Sequence, residues 1–355
     1  MVGSESSMRP LTFRILRALS HQHFVSGANL ASAFNVSRSA ISDALMEATE
    51  QGIEIFKLTR RGYRLAVPLD LLDLDVVRRH LGEATRRVDI DIVETIVSTN
   101  SELAQRAAEG APSGTCIAAE IQTSGRGRRG RNWKSGLATS LTFSVLWRFE
   151  RGAAQLGGLS LVVGLAIVRA LRNMDVSAAC VKWPNDIVLD GKKLGGVLIE
   201  TQGDMLGPTA VVIGIGLNVR LPEALSAGID QAVADVQSQL TNTISRSVLL
   251  AVVLRELVLI LEQFSSTGLA LFRDEWIACH ALHDRAIRVM REHDEVFDAV
   301  VRDVAPDGSL IVDRGCQRVV LSSAEISVRD VSMDAVATKK NGGMNLSPPE
   351  QKVRP

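Results

Sequence analysis

Between Gly125 and Lys134 the chain reads Gly125-Arg126-Gly127-Arg128-Arg129-Gly130-Arg131-Asn132-Trp133-Lys134, with four arginines, one lysine and no acid. Guanidinium forks bind phosphate oxygens bidentately, and the three glycines let the backbone bend close to a ligand. Such a segment repels itself when empty and gains from an anion that all its cations reach. A nucleotide phosphate or pyrophosphate suits it, and the segment is expected to be mobile alone and ordered by ligand. A solvated basic loop or an arginine–glycine RNA contact explains the composition equally well. There is no Walker loop, and Gly125, Gly127 and Gly130 match GxGxxG only in spacing.

Three more segments carry groups of the same kind. Lys182-Trp183-Pro184-Asn185-Asp186 predicts a tight turn between β runs, with a carboxylate near Lys192 and Lys193. Lys193 leads into an apolar strand, so its ammonium is expected at the sheet rim, where it can neutralise charge on a phosphoryl or carboxylate group. A structural turn with a surface ion pair is the plainer reading. Ser98-Thr99-Asn100-Ser101-Glu102 has capping-box form, with Thr99 at the N-cap and Glu102 at N3. That helix end can hydrogen-bond a polar ligand head or serve as a cap alone. Gly214-Ile215-Gly216-Leu217-Asn218 ends a strand with two glycines, the mark of a close backbone approach or a β-bulge.

The elements that position these groups follow from pattern. The 355 residues, with 46% hydrophobic and 23% charged, allow two or three domains and exclude a mainly disordered chain. Lys+Arg and Asp+Glu are equal at 40 each, so no global field draws the chain to nucleic acid or membrane. The longest apolar stretch, Val248 to Leu261, carries Arg255 and Glu256 and reads as a buried helix, not a membrane span. The start shows no signal pattern and the four cysteines no ligand spacing. No metal site is expected from the residues, and a cytoplasmic location with reduced thiols is.

From 91 to 273, candidate strands (Cys116–Gln122, Leu141–Trp147, Ile187–Leu189, Gly196–Glu200, Ala210–Gly216) alternate with candidate helices (Asn100–Glu109, Ala154–Asn173, Ser247–Ser265). The fold class expected is α+β, with a central mixed β-sheet covered by helices. Residues 69–90 read as a linker with one helix, 274–330 as short strands of a small β-barrel, and 331–355 as a loose tail.

Residues 1–68 predict three helices and a two-stranded hairpin, the pattern of a winged helix-turn-helix. Its candidate DNA contacts are Ser37, Arg38, Ser39 and Ser42 at the start of the third helix, with Arg60 and Arg61 in the wing. This part has eight basic residues against five acids, yet its third helix carries Asp43, Glu47 and Glu50, which would repel phosphates if they faced a groove. A domain used only for packing or dimerisation has the same pattern.

Taken together and in this order, the segments resemble the biotin–protein ligases, in particular the bacterial bifunctional type that is also the biotin operon repressor. The resemblance rests on Ser98-Thr99-Asn100, Glu120-x-Gln122, Gly125-Arg126-Gly127-Arg128-x-Gly130-Arg131-x-Trp133, Lys182-Trp183-Pro184-Asn185-Asp186, Lys193-Leu194-x-Gly196-x-Leu198-x-Glu200 and Gly214-x-Gly216-x-Asn218. It spans about Leu11 to Asp330. It implies a biotin/lipoate ligase-like sheet, a C-terminal SH3-like barrel, and formation of biotinyl-5′-AMP from biotin and ATP with Mg²⁺. The biotinyl group then passes to a lysine of a biotin carboxyl carrier protein or domain of acetyl-CoA carboxylase.

By the same resemblance, Ser98, Thr99, Asn100, Gln122, Gly125, Arg126, Gly127, Arg128, Lys193 and Gly196 surround biotin. Arg126, Arg128, Arg129, Arg131, Trp133, Lys182, Asn218 and Arg329 serve ATP, and Lys193, Arg128, Asp186 and Lys182 serve the chemistry. Operator DNA and a homodimer in the adenylate-bound state complete the expectation. A ligand-sensing DNA-binding regulator without ligase activity, and a lipoate-type ligase, are the alternatives.

Overall fold

In a computed structural model, which describes residues 8–203, 206–291, 296–322 and 326–330, the N-terminal apolar spacing becomes three short helices: α1 (Pro10–Ala18), α2 (Gly27–Phe34) and α3 (Arg38–Glu50). Ser26 and Ser37 cap α2 and α3 by accepting from the Ala28 and Ala40 amides, and Asn35, left-handed at φ 53°, turns the chain between them. The hairpin comes next as β1 (Ile55–Leu58) and β2 (Gly62–Leu65). It begins two residues into the apolar run Ile53-Glu54-Ile55-Phe56. Phe13, Ile15, Leu16, Leu30, Ile41 and Leu45 form the core of this part, and Leu137, from far along the chain, is buried in it.

The linker is fastened to the central part of the chain. Leu72 is buried, Asp73 caps α4 (Leu74–Leu81) by accepting from Val76, and the Asp73 amide donates to Ser247 Oγ at 3.0 Å.

The central part is a seven-stranded sheet in the order β3-β4-β5-β9-β8-β7-β6. Its elements are β3 (Asp89–Ile96), α5 (Thr99–Ala108), β4 (Thr115–Gln122), β5 (Ser140–Phe149), α6 (Leu159–Arg172), β6 (Ala179–Lys182), β7 (Asp186–Leu189), β8 (Lys192–Gly203) and β9 (Thr209–Asn218). Then come the short α7 (Glu223–Ser226), the long α8 (Arg246–Thr267) and α9 (Arg273–Ala278). Among the described strands only β3 and β4 pair in parallel, joined through α5. Strand β3 is not among the candidate strands, because its alternation of acids and isoleucines resembles a polar linker. Helix α6 starts five residues after the expected Ala154: Gly158, at φ 80°, places its start at Leu159.

Side chains three apart on a strand point to opposite faces. On β4, Ile117 packs with Leu103 and Ala107 of α5, whereas Glu120 reaches Arg246 of α8. Helix α5 therefore covers one face, and α8, packed on α6, covers the other.

A second compact unit begins at Leu282. It is a five-stranded antiparallel sheet in the order β13-β12-β11-β10-β14, made of β10 (Ala286–Arg291), β11 (Phe297–Val304), β12 (Leu310–Arg314), β13 (Gln317–Leu321) and β14 (Ile326–Asp330). Among the described residues no pairing joins β13 to β14, so the sheet is open where a closed barrel was expected. Pro306-Asp307-Gly308 turns the chain between β11 and β12, with Asp307 Oδ1 accepting from the Ser309 amide. The expected loose tail, 331–355, lies outside the described residues. No described helix is long and apolar enough to cross a membrane.

Candidate active site

The site is built on the α5 face of the sheet, and glycines clear it. Antiparallel register sets Thr142, Gly216, Gly196, Asp186 and Lys182 in one lateral row across five strands. One step along, Ser144 and Leu198 flank Gly214. A methyl at Gly214 would sit 2.1 Å from Asn100 Oδ1, and one at Gly216 would sit 2.6 Å from the Trp133 ring. At Gly196 it would meet Asp186 Oδ1 at 3.4 Å and Lys193 Cε at 3.6 Å. The glycine pair on β9 is thus a close approach of side chains to backbone, and both glycines serve it.

At one end stands the N-terminus of α5. Ser98, not Thr99, is the N-cap, accepting from the Ser101 amide, which moves the cap one residue from the expected box. Glu102 instead pairs with Arg106 at 2.9 Å. The shift frees Thr99 and Asn100, both buried, to face the site. Thr99 N donates to Gln122 Oε1 at 2.8 Å, and Ser144 Oγ lies 2.7 Å from Thr99 Oγ1 and 2.6 Å from Asn100 Oδ1. Asn100 Nδ2 donates to Glu200 Oε2 at 2.7 Å. Ser144 and Glu200 belong to this site, and site assignment from sequence missed both. Ser144 sits in an ordinary strand, while Glu200 is the one acid in the motif Lys193 to Glu200.

Over this face folds the basic segment as a small hairpin. Gly127 N donates to Arg131 O at 2.7 Å, Trp133 N to Gly125 O at 2.8 Å, and Arg126 bridges Asn132. Gly125 is buried because Trp133 O lies where its side chain would be. Arg129, left-handed at φ 57°, turns the tip, and Arg131 is exposed. Arg126 donates to Glu200 Oε2 at 2.9 Å and the half-buried Arg128 to Asn185 Oδ1 at 3.2 Å. Burial and then the Arg129 charge pull Arg128 below the usual guanidinium range, with Asp186 opposing them. An anion placed here would relieve that crowding of cations.

The opposite end is the turn from Lys182 to Asp186. Lys182 and Asp186 face each other in register across it, and Asn185 Nδ2 donates to Val197 O at 2.7 Å. Trp183 is buried, and its amide donates to Nε2 of the buried His280, which stacks on Trp276. Lys193 Nζ meets Asp186 Oδ1 at 2.7 Å, with the two side chains 19% and 25% exposed. Asn218 is buried and donates to Ala234 O at 3.1 Å, which fastens the segment beyond α7 to the strand ends.

The structure thus brings together Ser98, Thr99, Asn100, Gln122, the hairpin, Lys182, Asp186, Lys193 and Gly196. Arg329 lies on β14 of the second unit, and its side chain lies outside the described residues. Among the described residues, no group of three His, Cys, Asp or Glu forms a metal cradle.

On the N-terminal part, Ser37, Arg38, Ser39 and Ser42 are exposed on α3, and Arg60 and Arg61 are exposed in the wing. Glu47 does not share that face. Its carboxylate accepts from the Arg9 amide at 3.0 Å and Arg9 Nε at 3.2 Å, and it also meets the Thr12 hydroxyl. Of the three α3 acids, Asp43 and Glu50 remain exposed.

A ligase sheet behind a helix-turn-helix is also what comparison with known proteins returns. Residues 93–218 match the biotin/lipoate A/B protein ligase family, and residues 12–64 match a helix-turn-helix domain. The bifunctional ligase/repressor BirA of Escherichia coli K12 is 31% identical over 316 residues, covering 89% of this chain and 96% of that one. The biotin–[acetyl-CoA-carboxylase] ligase of Mycobacterium tuberculosis is 32% identical over 269 residues, covering 74% and 97%. The structure of biotin protein ligase from Aquifex aeolicus in complex with biotin and ATP superposes with a TM-score of 0.58 at 25% identity, covering 68% and 99%. The chain belongs to the biotin–protein ligase family, in the bifunctional form that joins a ligase domain to a helix-turn-helix repressor domain.

Proposed function

We propose that this chain joins biotin and ATP to biotinyl-5′-AMP and pyrophosphate on the glycine-cleared face. It then transfers the biotinyl group to a lysine of the biotin carboxyl carrier protein or domain of acetyl-CoA carboxylase. The observation that carries this reading is the convergence of two dissimilar ends on one floor. Neutral hydrogen-bonding groups of Ser98, Thr99, Asn100 and Gln122 stand at one end, and cations at the other.

The neutral end suits an uncharged ring carrying donors and acceptors, with the hairpin backbone at Gly125, Arg126 and Gly127 closing over it. Attack of the biotin carboxylate on the α-phosphorus brings like charges together, and cations must offset that repulsion. Lys193, released from Asp186, lies at the junction of carboxylate and phosphate; Arg128 and Lys182 flank it. Arg129, Arg131, Trp133 and Asn218 line the nucleotide side. Mg²⁺ bound with the ATP phosphates would offset their charge, and the Asp186 carboxylate beside Lys193 would help to hold it there. Pyrophosphate leaves as the acyl-phosphate bond forms. In the second step the carrier lysine's amine attacks the acyl carbon and AMP departs with the electron pair. Hairpin closure keeps water from the mixed anhydride meanwhile.

The functional division runs 1–68, 69–90, 91–273, 274–330 and a tail at 331–355, with the five strands of the second unit an SH3-like barrel left open, among the described residues, between β13 and β14. The N-terminal part reads operator DNA through α3 and the wing, as a homodimer formed in the adenylate-bound state in the cytoplasm. Transfer of labelled biotin to a purified carrier domain, beside a carrier-free control that scores adenylate, tests the ligase. Label on the carrier is expected, and neither product would overturn the reading.

A further inference from the structure

Arg126 is the first arginine of the hairpin, yet its guanidinium is turned away from the cationic end. It is spent on Glu200, two strand positions beyond Leu198 on β8. The same oxygen, Glu200 Oε2, accepts from Asn100 Nδ2, so one carboxylate oxygen holds both the hairpin and the start of α5.

The hydrogen-bond chemistry propagates inward from that oxygen. Because the Asn100 amide nitrogen faces a carboxylate, its Oδ1 faces Ser144 and takes the single hydroxyl proton of that serine. Ser144 Oγ also lies 2.7 Å from Thr99 Oγ1, and Gln122 Oε1 accepts from both the Thr99 amide at 2.8 Å and the Thr99 hydroxyl at 3.1 Å. Polar contact thus runs without a break from Arg126 through Glu200, Asn100, Ser144 and Thr99 to Gln122. Gly214 is the gap that lets Asn100 occupy the middle of it.

We infer that Glu200 is a positioning residue that latches the hairpin to the polar groups receiving the biotin head. The hairpin and the head pocket are then set by one charge. The latch gives the arginines two separate roles. The Arg126 side chain anchors the hairpin, and Arg128 and Arg131 are left to the phosphates. The inference deepens the ligase reading and rests on it for the identity of the ligand, whereas the latch itself is a property of the ligand-free protein.

The test uses full-length protein and the variants Glu200→Gln, Arg126→Gln and the pair together. Glu200→Gln keeps an acceptor for Asn100 and removes the charge that holds Arg126. Two readings are taken: trypsin cleavage after Arg128 and Arg129, followed by mass spectrometry, and the time for which enzyme retains biotinyl-5′-adenylate without carrier. Each single variant is expected to speed the cut without ligand, and to shorten adenylate retention about tenfold, with the double variant no worse than either single. Additive losses, or cutting and retention equal to the parent, would overturn the latch. If the parent forms no adenylate, the ligase reading fails, while the ligand-free cleavage still decides for or against the latch.

Discussion

The Lys193 ammonium lies 2.7 Å from Asp186 Oδ1, and both groups pass beside the bare Cα of Gly196. Asp186 thereby holds the lysine that we propose meets the carboxylate and the phosphate, and an arriving anion must compete for it. Lys193→Ala should slow adenylate formation in single-turnover assays by about a hundredfold, or ~3 kcal/mol of lost transition-state stabilisation. Asp186→Asn releases the lysine and is expected to cost less. A Lys193→Ala rate within about twofold of the parent would remove that residue from the chemistry.

The two β9 glycines allow a sharper experiment, because each faces a different partner. Gly214→Ala drives a methyl into the buried Asn100 amide, held on both sides by Ser144 and Glu200. It should raise the biotin dissociation constant at least about tenfold, the loss of one buried, charge-assisted hydrogen bond. Gly216→Ala collides instead with the Trp133 ring, so it should disturb ATP more than biotin. Pairing it with Trp133→Leu should restore part of the loss. Calorimetric titration of each variant with biotin, and with ATP after biotin, separates the two. Identical effects on both ligands would mean that the glycines serve only the fold.

How far the sequence reaches can be seen at particular positions. Lys193, Asp186 and the hairpin arginines were legible because their charges are grouped locally and have no use in a core. The winged helix-turn-helix was legible from helical spacing and a basic turn. The features that escaped notice depend on partners distant in sequence. Glu200 means little until β8 and α5 are set side by side, and Ser144 looks like any small strand residue. Likewise, Glu120 and Arg246, 126 residues apart, meet only because β4 and α8 cover the same face. The strand β3 was missed because an edge strand with one polar face imitates a linker. The open edge between β13 and β14 is a matter of closure, which strand count alone does not determine.

Glu120 and Arg246 form an ion pair at 2.7 Å with almost no exposure. Arg246 also donates to Ser140 O and Asp70 O, so the pair ties sheet, linker and α8 together. Removing one partner leaves a buried charge, and Arg246→Met should destabilise the fold by about 3–5 kcal/mol. The double replacement Glu120→Leu with Arg246→Met is expected to recover part of that, as read from denaturant unfolding. Equal stability of single variant and parent would show that the pair is not buried in solution.

Asp70, beside that pair, gives a prediction with a pH sign. Burial raises its carboxyl above the ordinary value, against the hydrogen bond from the Arg246 amide, which lowers it. A group with a raised folded pKa gives its full stability below the unfolded value and loses it as pH rises through the folded one. At neutral pH the Asp70 charge is therefore a net cost. Asp70→Asn keeps an acceptor for the Arg246 amide and should melt above the parent at pH 7, with the gap closing towards pH 4. A gap that widens as the pH falls would mean the carboxylate is stabilised by Arg246 more than it is penalised by burial.

The N-terminal part poses the question of sign in a different form. With Glu47 drawn back onto Arg9 and Thr12, the exposed side of α3 presents Arg38, Ser39, Ser42 and Met46, bordered by Asp43 and Glu50. Serines and an arginine there can reach phosphate and base edges, and the wing supplies Arg60 and Arg61. Arg60→Glu with Arg61→Glu should weaken operator binding in the presence of biotin and ATP. It should also flatten the dependence of log K on log salt by about two, one for each phosphate no longer neutralised. Asp43→Asn with Glu50→Gln should act the other way and tighten binding without sharpening sequence preference, because it removes repulsion and adds no base contact. Glu47→Gln should lower thermal stability and leave the salt slope as it was, since its partners lie on and beside α1. A salt slope that fails to move in the wing variant would place the DNA elsewhere on the domain. Loss of binding in Glu47→Gln at full stability would put that carboxylate back on the groove face.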